Sequence, residues 1–187
     1  MIFFAIRHLP TDWNQKGLLQ GRQDRNIVSP LDIETAALVQ RNQLQLIESN
    51  VDCVLVSSLQ RTQQSAQVYG YNEFIIEPLL DELNFGHYEG QSKCTLMEEC
   101  GELWLNNPLS LQLGEPLSAL QMRVQLFLEK YSKYKCILIF GHGAWLRALT
   151  SYCCEQSIKN MNKLEIANNA LLKLDVSSEL FVNKSHG

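Results

Sequence analysis

The stretch Met1-Ile2-Phe3-Phe4-Ala5-Ile6-Arg7-His8, continuing into Leu9-Pro10-Thr11-Asp12-Trp13-Asn14, decides how the rest of the chain reads. Its apolar half has the length and composition of a buried strand, and that strand stops on a guanidinium beside an imidazole. In an open α/β sheet, ligands bind at the carboxyl ends of the strands, and Arg beside His suits an anion. The arrangement then recurs. Asp52-Cys53-Val54-Leu55-Val56 is a second strand run, leading through Ser57-Ser58-Leu59-Gln60 to Arg61. A third, Cys136-Ile137-Leu138-Ile139-Phe140, opens into Gly141-His142-Gly143 and then a helical segment containing Trp145 and Arg147. Three strands ending on phosphate-competent side chains predict one shared phosphate site.

Composition permits such a site without explaining it. The chain has 187 residues, 45% of them hydrophobic and 19% charged, enough for one substantial core and too few for two full domains. A single domain over residues 1–187 is expected. The net charge of -4 argues against a large basic surface, so neither nucleic acid nor an anionic membrane is expected as a partner. The apolar runs are strand-length, well below the ~20 residues of a membrane span, and Met1 begins a strand instead of a basic leader. Of the six cysteines, Cys53 and Cys136 fall inside strands, Cys153 and Cys154 are adjacent, and Cys94 and Cys100 lack zinc-ligand spacing. Free thiols, no metal, no cofactor and a cytoplasmic location are the expectation, as monomer or homodimer.

Between the strand motifs the chain reads as helices. Asp32 caps one running toward Ser49-Asn50, with Ile33, Ala37, Leu44 and Ile47 as its apolar face. Ser57-x-x-Gln60 has capping-box spacing, and its helix runs to Tyr69 before Gly70 supplies a stop. That places Arg61 in a first helical turn, where the helix dipole also favours an anion. Leu117, Leu120, Val124, Phe127, Leu128 and Tyr131 form another stripe ahead of the Cys136 strand. Alternating strands and helices predict a three-layer αβα sandwich with a mostly parallel central sheet. The interval from about 85 to 116, rich in glycine, proline and aromatics, reads as a small, partly helical cap insertion over the site. The tail from Ser177 is expected to fray, and His186 has no role.

Displacing an alcohol from a phosphate monoester also needs a proton donor. Asp81, Glu82 and Glu89, in Asp81-Glu82-Leu83-Asn84-Phe85-Gly86-His87-Tyr88-Glu89-Gly90, are all eligible, and periodicity does not choose among them.

Taken together, Arg7-His8-x-x-Thr11-x-x-Asn14, Leu19-Gln20-Gly21-Arg22, Ser57-Ser58-x-x-Arg61, Glu82-x-x-Phe85-Gly86-x-x-Glu89-Gly90 and Gly141-His142-Gly143 resemble the histidine phosphatase superfamily, in its phosphoglycerate mutase-like branch. The resemblance spans about residues 2 to 150. It implies that His8 is a nucleophile forming phosphohistidine, that Arg7, Arg61 and His142 surround the phosphoryl group, and that Glu82 is the proton donor. Asn14, Gln20, Gly21 and Gly143 would complete the phosphate and substrate contacts. The chain departs from the pattern at Leu9, where the family usually has glycine, and at Pro10, where an acidic residue is common. The implied activity is hydrolysis of a small phosphate monoester without metal, closest in type to α-ribazole phosphatase. Phosphoglycerate mutase-type transfer and a weakened phospholigand-binding protein are the alternatives. Phe85, His87, Tyr88 and Trp104 would line an apolar specificity pocket. Trp13 is expected to pack beneath its loop, and Arg147 to be a structural ion-pair residue.

Overall fold

A computed structural model describes residues 1–176; the expected fraying from Ser177 onward and the position of His186 lie outside the described residues. Five strands form one sheet: β1 (Ile2–Arg7), β2 (Cys53–Val56), β3 (Ile75–Ile76), β4 (Cys136–Gly141) and β5 (Leu171–Asp175), in spatial order β3-β2-β4-β1-β5. The first four run parallel and β5 pairs antiparallel with β1. The pleat sorts their side chains onto two faces. Phe3, Ala5, Leu55, Ile137 and Ile139 enter one core, and Ile6, Val56, Leu138 and Phe140 enter the other. A parallel strand covered on both faces has no solvated side, which is why β1 and β4 read as continuous apolar runs.

The helices divide between these faces. α1 (Asp12–Gln15) is a short turn closed by a capping box between Thr11 and Asn14. α2 (Ile33–Leu46) and α3 (Gln60–Val68) supply Val39, Leu46 and Ala66 to the core of Ile6 and Phe140. α4 (Lys93–Asn106), α5 (Leu117–Lys130) and α6 (Gly143–Glu155) pack on the opposite face, where Phe127 lies 5.6 Å from Phe3 and edge-on to Trp145 at 5.1 Å, ring centre to ring centre. This is the expected αβα arrangement. The 85–116 interval contributes α4 and two short turns, and its Phe85, Tyr88, Leu96, Trp104 and Leu111 join the same core as α5 and α6. All six cysteines are free thiols, and no helix among the described residues is long and apolar enough to cross a membrane.

Two local readings are corrected. Asp32 does cap α2, accepting from the Thr35 amide at 2.7 Å, but the stripe of Ile33, Ala37, Leu44 and Ile47 is the outer face. The inner one is Val39, Asn42 and Leu46. Asn42 disguises it: a buried amide is tolerated because it donates to Tyr69 Oη and to the Asn169 carbonyl, both at 2.8 Å. The capping box at Ser57 also does not form, since the cap position of α3 is Leu59 and Ser57 Oγ is engaged elsewhere.

Phe127 is fully buried between Phe3, Tyr131 and Trp145, so Phe127→Ala removes a ring that a packed interior does not refill. The expected loss is about 3–5 kcal/mol of unfolding free energy. Urea denaturation checks it, and a loss below about 1 kcal/mol would mean that this face can repack.

Candidate active site

β4 lies between β1 and β2, so the chain leaves the carboxyl ends of β1 and β4 in opposite directions and opens a crevice there. Arg7 sits beside Gly141 in the ladder, and the His8 amide extends the pairing by donating to the Gly141 carbonyl at 2.9 Å. The rings of His8 and His142 are consequently 5.3 Å apart. A cavity of about 310 Å³ occupies the crevice. Arg7, His8, Asn14, Gln20, Gly21, Arg61, Glu82 and Gly143 line it, which brings together every expected site residue except His142.

His8 is buried, and its Nδ1 lies 2.7 Å from the Leu9 carbonyl. A carbonyl only accepts, so Nδ1 carries the proton and the Nε2 lone pair is bare. Burial, then Arg61 and Arg7, push the pKa of His8 well below its ordinary value. The imidazole is therefore a neutral base with one free nitrogen. Leu9 does not disturb this arrangement: its φ is not positive, its amide donates to Ser65 Oγ at 2.8 Å, and its side chain is fully buried among Ile6, Val39 and Phe140.

The Arg61 guanidinium is fixed on three sides. Nη2 donates to the Gly21 carbonyl at 2.7 Å, Nη1 to the Gln23 carbonyl at 2.8 Å, and Nε to His142 Nδ1 at 3.2 Å. Because Nδ1 of His142 accepts, its Nε2 carries the proton and donates to Ser57 Oγ at 2.7 Å. His142 thus stands one layer behind the cavity wall, bracing Arg61, and burial followed by Arg61 lowers its pKa well below the ordinary histidine value. Glycine is needed at position 21, where φ is +52° and a Cβ would fall 2.0 Å from Glu89 Oε1. Burial lowers Arg61 to about 10, which leaves it a cation at neutral pH.

Arg7 donates from Nη1 to the Ile166 carbonyl at 2.7 Å, and its Nε is buried without a partner. A Cβ at Gly143 would lie 3.3 Å from both Cζ and Nε of Arg7, so the missing side chain lets the guanidinium rest on the start of α6. Of the three eligible carboxylates, only Glu82 reaches the cavity. Its Oε1 accepts from the amides of Leu83 at 2.9 Å and Trp145 at 3.0 Å, and its Oε2 from Ala144 at 3.0 Å. The α6 N-terminus therefore holds a side-chain carboxylate. Asp24 does the same for α3, accepting from the Gln60 amide at 2.8 Å. Asp81 accepts from Ser58, and Glu89 holds the amides of Arg22 and Phe85.

Asn14 turns its Oδ1 toward the Thr11 amide and hydroxyl, both at 3.0 Å, so its NH2 group is the end available to the cavity. Gln20 Oε1 is buried without a partner. Phe85 and Trp104 do line the cavity, with ring centres 5.9 Å apart. His87 and Tyr88 do not. They stack on each other at 4.0 Å, and Tyr88 Oη donates to Glu99 at 2.6 Å. Trp13 packs against Gly90 beneath the guanidinium of Arg25.

Three polar side chains of the cavity are not among the expected site residues: Lys93, Asn168 and Arg147. Arg147 is not an ion-pair residue, since no carboxylate among the described residues lies within ion-pair distance of it. Its one side-chain bond is from Nη2 to Asn162 Oδ1 at 3.3 Å, and burial lowers it to about 10. The available signal is its position, one helical turn after Gly143, which puts the two on the same face of α6.

Fold and cavity together define an α/β protein with a cavity lined by cationic side chains at its strand ends. A profile of the histidine phosphatase superfamily (branch 1) matches residues 3–187, and the chain belongs to that superfamily of phosphatases. Phosphoserine phosphatase 1 of Hydrogenobacter thermophilus is 25% identical over 94% of this chain and 92% of its own length. The 2,3-bisphosphoglycerate-dependent phosphoglycerate mutase of Bartonella henselae is 28% identical over 89% and 85%. The crystal structure of the α-ribazole phosphatase from Shigella flexneri superposes with a TM-score of 0.76 at 26% identity, over 96% of this chain and 92% of that one.

The two depressed histidines fix a pH dependence. Both are neutral when folded and gain protons on unfolding below the ordinary pKa of about 6.5, so stability is complete above that pH and is lost as pH falls toward the folded values. The urea midpoint should drop between about pH 6.5 and 5, before carboxylates titrate, and the slope should lessen in His8→Ala. A flat wild-type profile over that window would show that neither histidine is held neutral.

Leu9→Ala should cost about 2–5 kcal/mol without raising kcat/KM, because the leucine fills core and no backbone strain awaits relief. Denaturation and steady-state kinetics on the one variant check both halves; an increase in kcat/KM would show that Leu9 hinders the site.

Proposed function

We propose that this chain hydrolyses a small phosphate monoester through a phosphohistidine on His8, without a metal ion. The carrying observation is the His8 tautomer: with Nδ1–H committed to the Leu9 carbonyl, a bare Nε2 is left in a cavity whose wall includes the guanidinium groups of Arg7 and Arg61. The Nε2 lone pair forms the N–P bond as the ester P–O bond breaks, and Arg7 and Arg61 match charge on the equatorial oxygens. Asn14 NH2 is a further donor to those oxygens, and Gln20 and Gly21 shape the adjoining wall. Glu82, entering this half in its acid form, gives its proton to the departing alkoxide. In the second half it takes a proton from water, the new O–P bond forms as N–P breaks, and phosphate leaves with His8 neutral again. His142 acts as a positioning residue for Arg61, and Gly143 leaves room for Arg7.

Residues 85–116 then serve as a cap within one domain, placing Phe85 and Trp104 against the leaving group. A cavity of about 310 Å³ suits a small metabolite. A phosphate of α-ribazole, the compound in the name of the Shigella neighbour, and phosphoserine, in the name of the Hydrogenobacter relative, are both esters of this kind.

The test uses p-nitrophenyl phosphate with a chelator present, at about pH 5 to 8. Wild type should release phosphate and yield an acid-labile phosphoenzyme, and His8→Ala should lose at least about 10³-fold in kcat with no phosphoenzyme. Glu82→Gln should lose about 10²- to 10⁴-fold on an alkyl phosphate and far less on the aryl ester, whose leaving oxygen needs no proton. Equal turnover by wild type and His8→Ala would overturn the proposal, and phosphate moving between hydroxyls of glycerate without release would mark a mutase.

A further inference from the structure

The cavity holds more positive charge than a phosphoryl group uses. Arg7, Arg61, Lys93 and Arg147 line it, and Glu82 is the one carboxylate among the lining residues. A phosphate dianion is matched by Arg7 and Arg61, the two guanidinium groups nearest His8 in its electrostatics. Arg147 and Lys93 are left over. Among the described residues Arg147 has only Asn162 as a side-chain partner and its buried Nε has none, and its guanidinium leans toward the Trp104 ring at 6.0 Å. Glu165 is the other carboxylate that influences it, more weakly than Glu82 does and from beyond ion-pair distance. A desolvated guanidinium without an anion is costly, and a planar fork of donors suits a carboxylate. Lys93, exposed in the first turn of α4, supplies a second cation on the same wall.

We propose that the leaving group carries a carboxylate, bound by Arg147 with Lys93 beside it, so that the substrate is a small phosphorylated hydroxy or amino acid. This inference rests on the phosphatase reading of the same cavity. It separates the two named ester types: an uncharged leaving group such as α-ribazole leaves both cations unmatched, and a phosphorylated carboxylic acid matches them.

The test compares esters that differ at the carboxylate: O-phosphoserine against O-phosphoethanolamine, and 3-phosphoglycerate against glycerol 3-phosphate. Wild type should favour the acid of each pair in kcat/KM by roughly 10- to 100-fold, the range expected for a charged hydrogen bond. In Arg147→Met the ratio should collapse toward one, and Arg147→Lys should restore part of it. A ratio cancels any shared effect on the phosphate site, so a general loss of activity does not imitate the result. Calorimetric binding of the same pairs to His8→Ala gives the same ratio without turnover. An acid preference there in a protein that hydrolyses nothing would sink the phosphatase reading and keep the carboxylate site. Hydrolysis of p-nitrophenyl phosphate with no acid preference in either assay, or a preference that survives Arg147→Met, overturns the carboxylate site alone.

Discussion

The hydrogen bond from the His8 amide to the Gly141 carbonyl is the constraint on which the rest of the site depends. It carries the β1–β4 ladder one residue past the end of β1, so the residue after the strand has no freedom to wander. Arg7 and His8 must then leave the sheet beside Gly141 and His142. The pleat ends there: strict alternation would put Leu9 on the face opposite Ile6, and instead it joins the same core. The His8 ring faces the crevice, and the Leu9 side chain turns into the core of Ile6 and Phe140. A leucine is tolerated after the histidine because the backbone needs no left-handed conformation there and the side chain is useful to packing.

Given that geometry, the chain must hold several cations together around a largely buried site. It does so by giving the guanidinium groups backbone carbonyls in place of carboxylates. Arg61 takes Gly21 and Gln23, and Arg7 takes Ile166. A carbonyl fixes direction without cancelling charge, so the field in the cavity stays positive and available to a ligand. His142 serves the same purpose as an acceptor for Arg61 Nε, which is why it must stay neutral and why its other nitrogen is tied to Ser57.

How much of this was legible in the sequence follows from the range of each interaction. The positions of three strands are within reach because apolar runs ending on charged residues are local patterns, and β1, β2 and β4 all obey them. β3, two residues long, and β5, antiparallel at the edge, carry too little pattern to stand out. The face of α2 was misread because its inner side contains Asn42, whose partners Tyr69 and Asn169 are distant in sequence. Ser57 was read as a cap because the local spacing allowed it, and a histidine from another strand claimed its hydroxyl instead. Arg147 was misread for the converse reason: an arginine on a helix usually finds a carboxylate, and only the packed structure shows none beside it.

The position of Glu82 depends on a further layer of charge. Its loop has no strand or helix to hold it, so its backbone is pinned from outside: Arg123 Nη1 donates to the carbonyls of Leu79 and Asp81, both at 2.8 Å, and Arg22 Nε to that of Glu82 at 3.3 Å. Both arginines converge on Glu115, which also accepts from the Asn84 amide at 3.3 Å. Glu115 and Arg123 are largely buried, so that pair is shielded from the screening that makes exposed ion pairs weak, and Arg22 is the solvent-facing member. The consequence is a division of labour between two kinds of arginine. Arg22 and Arg123 are paired with a carboxylate and act as structure. Arg7, Arg61 and Arg147 are denied one and keep their charge for whatever enters the cavity.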